Sequence, residues 1–143
     1  MREILFKAKM INDGEWVYGS LITNLNNMAF IGLNDCIYST GFNNKPNAIN
    51  SHIFSVDPET LCQYTEVDQN YDGIKIFDGD KLDFCVFDYN GNDKAYIGYV
   101  VYTYGTYLVI DINDEENLWE LGWIMAQNDE AKVIGNIHDK ESD

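Results

Sequence analysis

Lys81-Leu82-Asp83-Phe84-Cys85-Val86-Phe87-Asp88-Tyr89 is the stretch on which the fold turns. Side chains alternate along an extended chain, so Leu82, Phe84 and Val86 share one side, and Asp83, Cys85, Phe87 and Tyr89 share the other. Asn90-Gly91-Asn92-Asp93 follows, and Asn-Gly is a preferred hairpin dipeptide because both residues tolerate positive φ. Ala95 to Tyr104 and Thr106 to Ile112 supply two further strands, broken at Gly105. Three successive strands joined by short turns form the core of an antiparallel sheet or barrel.

The same signals recur toward the N-terminus. Glu3 to Lys9 is a partly alternating strand, Asn12-Asp13-Gly14 a tight turn, and Glu15 to Ile22 a second strand, which together predict a hairpin. Residues 24–50 differ: Asn is abundant around short apolar pieces such as Met28-Ala29-Phe30-Ile31, which marks an irregular excursion. Ser51 to Val56 and Leu61 to Thr65 are expected strands on either side of Asp57-Pro58. Beyond the meander, Asn113-Asp114-Glu115-Glu116 predicts a helix start, with Asn113 as cap and Glu116 completing a capping box. Leu118, Leu121, Ile124 and Met125 follow at helical spacing, and Trp119 and Trp123 widen the apolar face that packs on the sheet. Lys132 to His138 closes the chain as a short strand before an acidic tail, Asp139 to Asp143. The expected fold class is all-β, mainly antiparallel, with one short C-terminal helix.

Composition bounds the rest. The 143 residues fit one domain, 1–143, able to bury a core without staples. An aromatic content of 14% favours strands, on whose pleated surface flat rings pack well. Against 24 acidic residues stand 9 basic ones, a net charge of −15 that repels phosphate backbones and anionic lipid. Residues 74–143 hold 15 of the acids and 5 of the bases, so the excess lies mostly in the second half. That excess is either a solvated, solubilising surface or one that attracts basic partners or imitates DNA. Cys36, Cys62 and Cys85 are odd in number and widely spaced, which suits a reducing compartment better than a disulfide framework. No apolar run approaches a signal-peptide core or a membrane span, so a cytosolic location is expected.

Catalytic and metal-binding patterns are sparse. Asp68-Gln69-Asn70-Tyr71-Asp72-Gly73 matches the opening of an EF-hand loop, but position 12, where a bidentate Glu belongs, is Gly79, and position 9 is Ile76. The segment therefore reads as a turn, and no metal or cofactor is expected. The three Cys with His52 and His138 contain no close pair at zinc-ligand spacing. Cys62 and Cys85 fall in strand-like segments, where a buried thiol is the usual case. Neither a phosphate-binding Gly loop nor an HExxH stands in the chain, and no catalytic residue is assigned.

Several pieces in order resemble the YopX family of small phage and prophage proteins. They are Met1 to Ala8, Trp16 to Leu21, Gln63-Tyr64-Thr65, Asp72-Gly73, Ile76-Phe77-Asp78-Gly79-Asp80 and Val133 to Ile137. Asn70-Tyr71-Asp72-Gly73 varies a turn that is usually shorter in that family, and residues 24–50 match it poorly. The resemblance implies an SH3-like barrel with additional strands and a phage or prophage product in the cytosol of a bacterial host. It brings no catalytic or binding residues with it. The expected function is a non-enzymatic accessory role through contact with a host or phage protein, without direct nucleic-acid or membrane binding. The alternative is a DNA mimic that antagonises a host nucleic-acid-binding protein, with Asp78, Asp80, Asp83, Asp111, Asp114 and Glu115 in one surface band. An enzyme is a third possibility, expected to show a pocket of converging polar groups.

Overall fold

The computed structural model describes residues 4–23, 28–33, 53–87 and 90–139, which belong to two compact units, Met1–Tyr64 and Thr65–Asp143. Most of the excursion expected over 24–50, and residues 140–143 of the tail, lie outside the described residues.

In the first unit, β1 (Phe6–Lys9) and β2 (Trp16–Thr23) form the N-terminal hairpin, in register from Phe6↔Gly19 to Lys9↔Trp16. Gly14 in its turn has φ +74°, and Asp13 Oδ1 accepts a bond from the Glu15 amide. The second half of β2 pairs with β3 (Ala29–Gly32), and β3 with β4 (Ile53–Val56). On the far side of β1 begins β5 (Cys62–Asp68), after a 3-10 turn, Pro58–Thr60, capped by the Asp57 carboxylate. Gly19 is where β2 passes from one neighbour to the other. A Cβ there would run into the Gly32 carbonyl, so only glycine lets the two backbones come this close. Ala8, Val17, Ala29, Ile31 and Val56 form the buried cluster of this unit.

In the second unit, β5 runs on and pairs with β6 (Lys75–Phe77). A separate five-stranded antiparallel sheet has the order β10-β9-β8-β7-β11. Its strands are β7 (Asp80–Phe87), β8 (Asp93–Thr103), β9 (Thr106–Asp111), β10 (Asp114–Glu120) and β11 (Lys132–Asn136). One α-helix among the described residues, α1 (Leu121–Gln127), lies against it. The expected alternation is present over Lys81 to Phe87, with Leu82 and Phe84 buried and Phe87 on the other side exposed, while Asp88 and Tyr89 lie outside the described residues. Leu82, Phe84, Val100 and Val109 of the sheet pack with Leu121, Ile124 and Met125 of α1. At the rate of about 1.5–3 kcal/mol for each fully buried large aliphatic chain, this cluster is the main source of the unit's stability.

The corner Asp78-Gly79-Asp80 is structural. Gly79 has φ +82°, its amide donates to Val100 O at 2.7 Å, and its carbonyl accepts from the Ile137 amide at 2.9 Å. Asp80, 1% exposed, accepts from the Phe77 amide at 2.8 Å and from Asn136 Nδ2 at 2.9 Å.

One expectation is corrected. The helix does not start at Asn113. Asp114 to Glu120 is strand, with Leu118↔Ile110 and Trp119↔Val109 across to β9, and α1 begins only at Leu121 with no side-chain cap. The would-be capping residues build the β9–β10 corner instead: Asp111 Oδ1 accepts from the Asn113 amide, and Asp114 Oδ1 from the Glu116 amide. Trp119 therefore reaches the core from a strand, edge-on to Phe84 at 5.1 Å, whereas Trp123 on α1 is exposed. Among the described residues, closure of either sheet into a barrel by a continuous ladder is not detected. The bridge Met10↔Val56, with backbone bonds from the Ile11 amide to the Ser55 carbonyl and from the Asp57 amide to the Lys9 carbonyl, ties the end of β1 to the end of β4. Among the described residues no helix is long and apolar enough to cross a membrane.

Candidate functional site

A concavity of about 810 Å³ forms in the second unit where the β11 ladder leaves the edge of β7. Pairing between those strands ends at Lys132↔Asp83, while β7 continues to Phe87. Past that point Asn128 substitutes for a strand residue. Its Oδ1 accepts from the Cys85 amide at 3.1 Å, and its Nδ2 donates to the Cys85 carbonyl at 2.6 Å. The edge is thus satisfied by one amide side chain, and residues 128–131 bow outward around a hollow.

The opposite wall is the turn between β5 and β6, the segment that resembles an EF-hand opening. The side chains of Gln69, Asn70 and Asp72 are committed to protein partners. Gln69, buried, accepts from the Val133 amide at 2.6 Å and donates to Asp72 Oδ1 at 2.9 Å, and the same oxygen accepts from the Ile74 amide. Asn70 Nδ2 donates to the carbonyls of Met125 and Asn128, at 2.6 and 3.1 Å. Carbonyls at a helix C-terminus lack intrahelical donors, so Asn70 closes the end of α1 and pins the turn to it. Three amide side chains, Gln69, Asn70 and Asn128, hold the walls in place. Among the described residues no group of three or more His, Cys, Asp or Glu is arranged to hold a metal.

Charge gives the hollow its character. Asp72, Asp83, Asp93, Asp129 and Glu130 line it, with Lys132 as the one base among the described lining residues. Phe84, Phe87 and Tyr71 supply aromatic surface, and Phe87 is 55% and Tyr71 91% exposed. Carboxylates bond strongly to ammonium and guanidinium groups, and aromatic faces attract the same cations through the ring quadrupole. A smaller hollow of about 400 Å³, lined by Asp83, Lys94, Tyr96, Ile97, Asp111 and neighbours, lies at one end of the sheet.

The acids expected in one surface band divide. Asp80 and Asp111 are 1% and 7% exposed and bonded within the fold, Asp111 to the Asn113 amide and to Asn117 Nδ2. Asp78 and Asp83 are partly buried, and Asp114 and Glu115 are exposed on β10. Cys62 is buried with its thiol near the Thr60 carbonyl at 3.3 Å, in the first unit. Cys85 is half-buried in the wall of the hollow, and His138 is half-buried beyond β11. Cys36 and His52 lie outside the described residues.

The concavity itself is not written in any motif. Asn128 and Asn70 act on backbone groups far away in sequence, and an isolated Asn looks the same whether it turns a loop or clamps one. The signal that was open to reading was local charge: Asp129-Glu130 beside an apolar helix. No family model, no curated protein and no solved structure matches this chain.

Proposed function

We propose that this chain is a phage or prophage accessory protein of the YopX kind, working in the cytosol of a bacterial host without catalysis, by binding a partner protein. The acidic, aromatic-walled concavity at the end of the β7 edge is its docking site, and the occupant is a basic segment of the partner, led by arginine or lysine. The observation that carries this reading is the lining: five carboxylates and two exposed aromatic rings against one lysine, among the described residues. A net charge of −15 works in the same direction, because it raises the encounter rate with basic partners and disfavours acidic ones. An arginine side chain suits such a site, since its fork can bond a carboxylate while its plane lies on Phe87 or Tyr71.

Affinity capture from host lysate tests this, with the full chain and with the double variant Asp129→Lys, Glu130→Lys, at low and high salt. Both substituted residues are exposed, so the fold is expected to persist. The expected outcome is a specific partner displaced by an oligoarginine peptide, weakened by salt, and held about tenfold less tightly by the variant. If wild type and variant retain the same proteins with the same salt dependence, the concavity is not the docking site.

A further inference from the structure

We propose that Asn90 is a site of self-modification: the Gly91 amide nitrogen attacks its side-chain amide, and a carboxylate takes that amide's place as aspartate or isoaspartate in the turn between β7 and β8. Four corners of this chain set a glycine after Asp or Asn, at Gly14, Gly73, Gly79 and Gly91, and Asn stands first only in the last. All four glycines have positive φ, between +73° and +82°. What separates them is the glycine N–H. Gly14 donates to the Met10 carbonyl at 2.9 Å, Gly73 to the Gln69 carbonyl at 2.9 Å and Gly79 to the Val100 carbonyl at 2.7 Å. Among the described residues Gly91 donates to none. Asn90 and Gly91 are both exposed, and nothing stands within 4 Å of where a Gly91 side chain would begin.

That nitrogen is the nucleophile. Ring closure requires it to give up its proton and reach the side-chain carbon of the residue before it, and an N–H held by a carbonyl is free to do neither. Glycine keeps the approach open, because no Cβ shields the nitrogen. The electrophile differs as well. A neutral amide accepts an anionic nitrogen, whereas the carboxylates of Asp13 and Asp72 repel one, and each is held by the amide two residues on, of Glu15 and Ile74. The atoms balance without an oxidant or an enzyme. The bond from Gly91 N to Asn90 Cγ forms, the bond from Asn90 Cγ to Nδ2 breaks, and Nδ2 leaves as ammonia, its third hydrogen matching the proton that Gly91 gave up. Water then opens the cyclic imide. Cleavage at Cγ gives aspartate, and cleavage at the Asn90 backbone carbonyl gives isoaspartate, whose main chain runs through Cγ. Either product adds a negative charge between Phe87 and Asp93, which both line the acidic hollow. The step is one-way, so that charge records the age of a copy.

Ageing the full chain at about 37 °C, at pH about 7.5 and about 8.5, followed by a tryptic mass map, reads the outcome. Trypsin cuts after Lys81 and Lys94 and releases Leu82–Lys94, which holds Asn90 and Asn92. This peptide is expected to give two new species of equal mass, each heavier by the exchange of NH2 for OH, with fragmentation placing the change at Asn90. Conversion should run severalfold faster at the higher pH, where more of the Gly91 nitrogen is deprotonated. Its rate should lie within about threefold of that in a free synthetic peptide of the same sequence, whereas isoaspartate at Asp13, Asp72 and Asp78 should form at least about tenfold more slowly than in theirs. Asn90→Ser should remove the new species and keep the circular-dichroism spectrum. An Asn90 that stays intact while the free peptide converts overturns the proposal. So does conversion led by Asn92, or isoaspartate forming at Asp13, Asp72 and Asp78 as fast as in free peptides.

Discussion

A missing side chain and a buried carboxylate set the tolerances of this fold. The Cβ of any residue replacing Gly19 would overlap the Gly32 carbonyl, and backbone cannot step aside as a flexible side chain can. Gly19→Ala is expected to cost about 2 kcal/mol or more, read as a lower midpoint in urea with an unchanged slope. A substitution as stable as wild type would mean that β2 and β3 can separate freely. Asp80 has two oxygens set against two donors, the Phe77 amide and Asn136 Nδ2. Asp80→Asn turns one acceptor into a donor that faces a donor, so about 1–3 kcal/mol should be lost in the same assay. The sequence marks Asp78-Gly79-Asp80 as a corner, because Asp-Gly has turn chemistry of its own. It could not show Asn136 as the partner, which lies far along the chain.

At the scale of elements, the β8–β9 hairpin holds a residue in an unusual place. Tyr104 and Gly105 have φ of +51° and +81° between the paired residues Thr103 and Thr106, a two-residue turn with positive φ at both positions. Asn, Asp and Gly adopt that first position readily and Tyr does not, while the Tyr104 ring is fully exposed and gains nothing by burial. Tyr104→Asn should therefore raise stability by about 0.5–1 kcal/mol, visible as a higher thermal midpoint; a fall would show that the ring makes contacts worth more than the strain. Strands in this sheet were legible wherever alternation and turn chemistry agreed, as at Lys81 to Thr103 and at Gly91 and Gly105. The stretch Asp114 to Glu120 was misread because its residues satisfy helix rules locally. Its burial is decided by Trp119, whose ring meets Phe84 and Tyr96 at 5.1 and 4.8 Å only when the backbone is extended beside β9. Tertiary packing outweighs a cap worth about 1 kcal/mol. The division at Tyr64 and Thr65 left no mark either, for it falls inside a strand where composition does not change.

For the whole molecule, charge is the property that sequence states outright. A net charge of −15 on 143 residues opposes compaction, since folding gathers carboxylates that an open chain keeps apart. Some acids escape this cost by bonding to backbone amides, as Asp13, Asp57, Asp72 and Asp114 do, but the net field remains. Salt should accordingly stabilise the chain: raising NaCl from about 20 to 500 mM shortens the Debye length from roughly 20 Å to under 5 Å and removes most of the repulsion between separate surface acids. A gain of about 1 kcal/mol corresponds to a rise of a few degrees in the thermal midpoint for a chain of this size. Potassium chloride should act as sodium chloride does, because screening depends on ionic strength and not on which monovalent cation supplies it. Calcium and magnesium at matched ionic strength should act alike for the same reason, with Asn70 already engaged by the Met125 and Asn128 carbonyls and Gln69 by the Val133 amide and Asp72. A midpoint that rises with calcium well beyond magnesium would mean that this turn opens to a cation, and a midpoint flat in sodium chloride would mean that the acids are spaced too widely for their repulsion to matter.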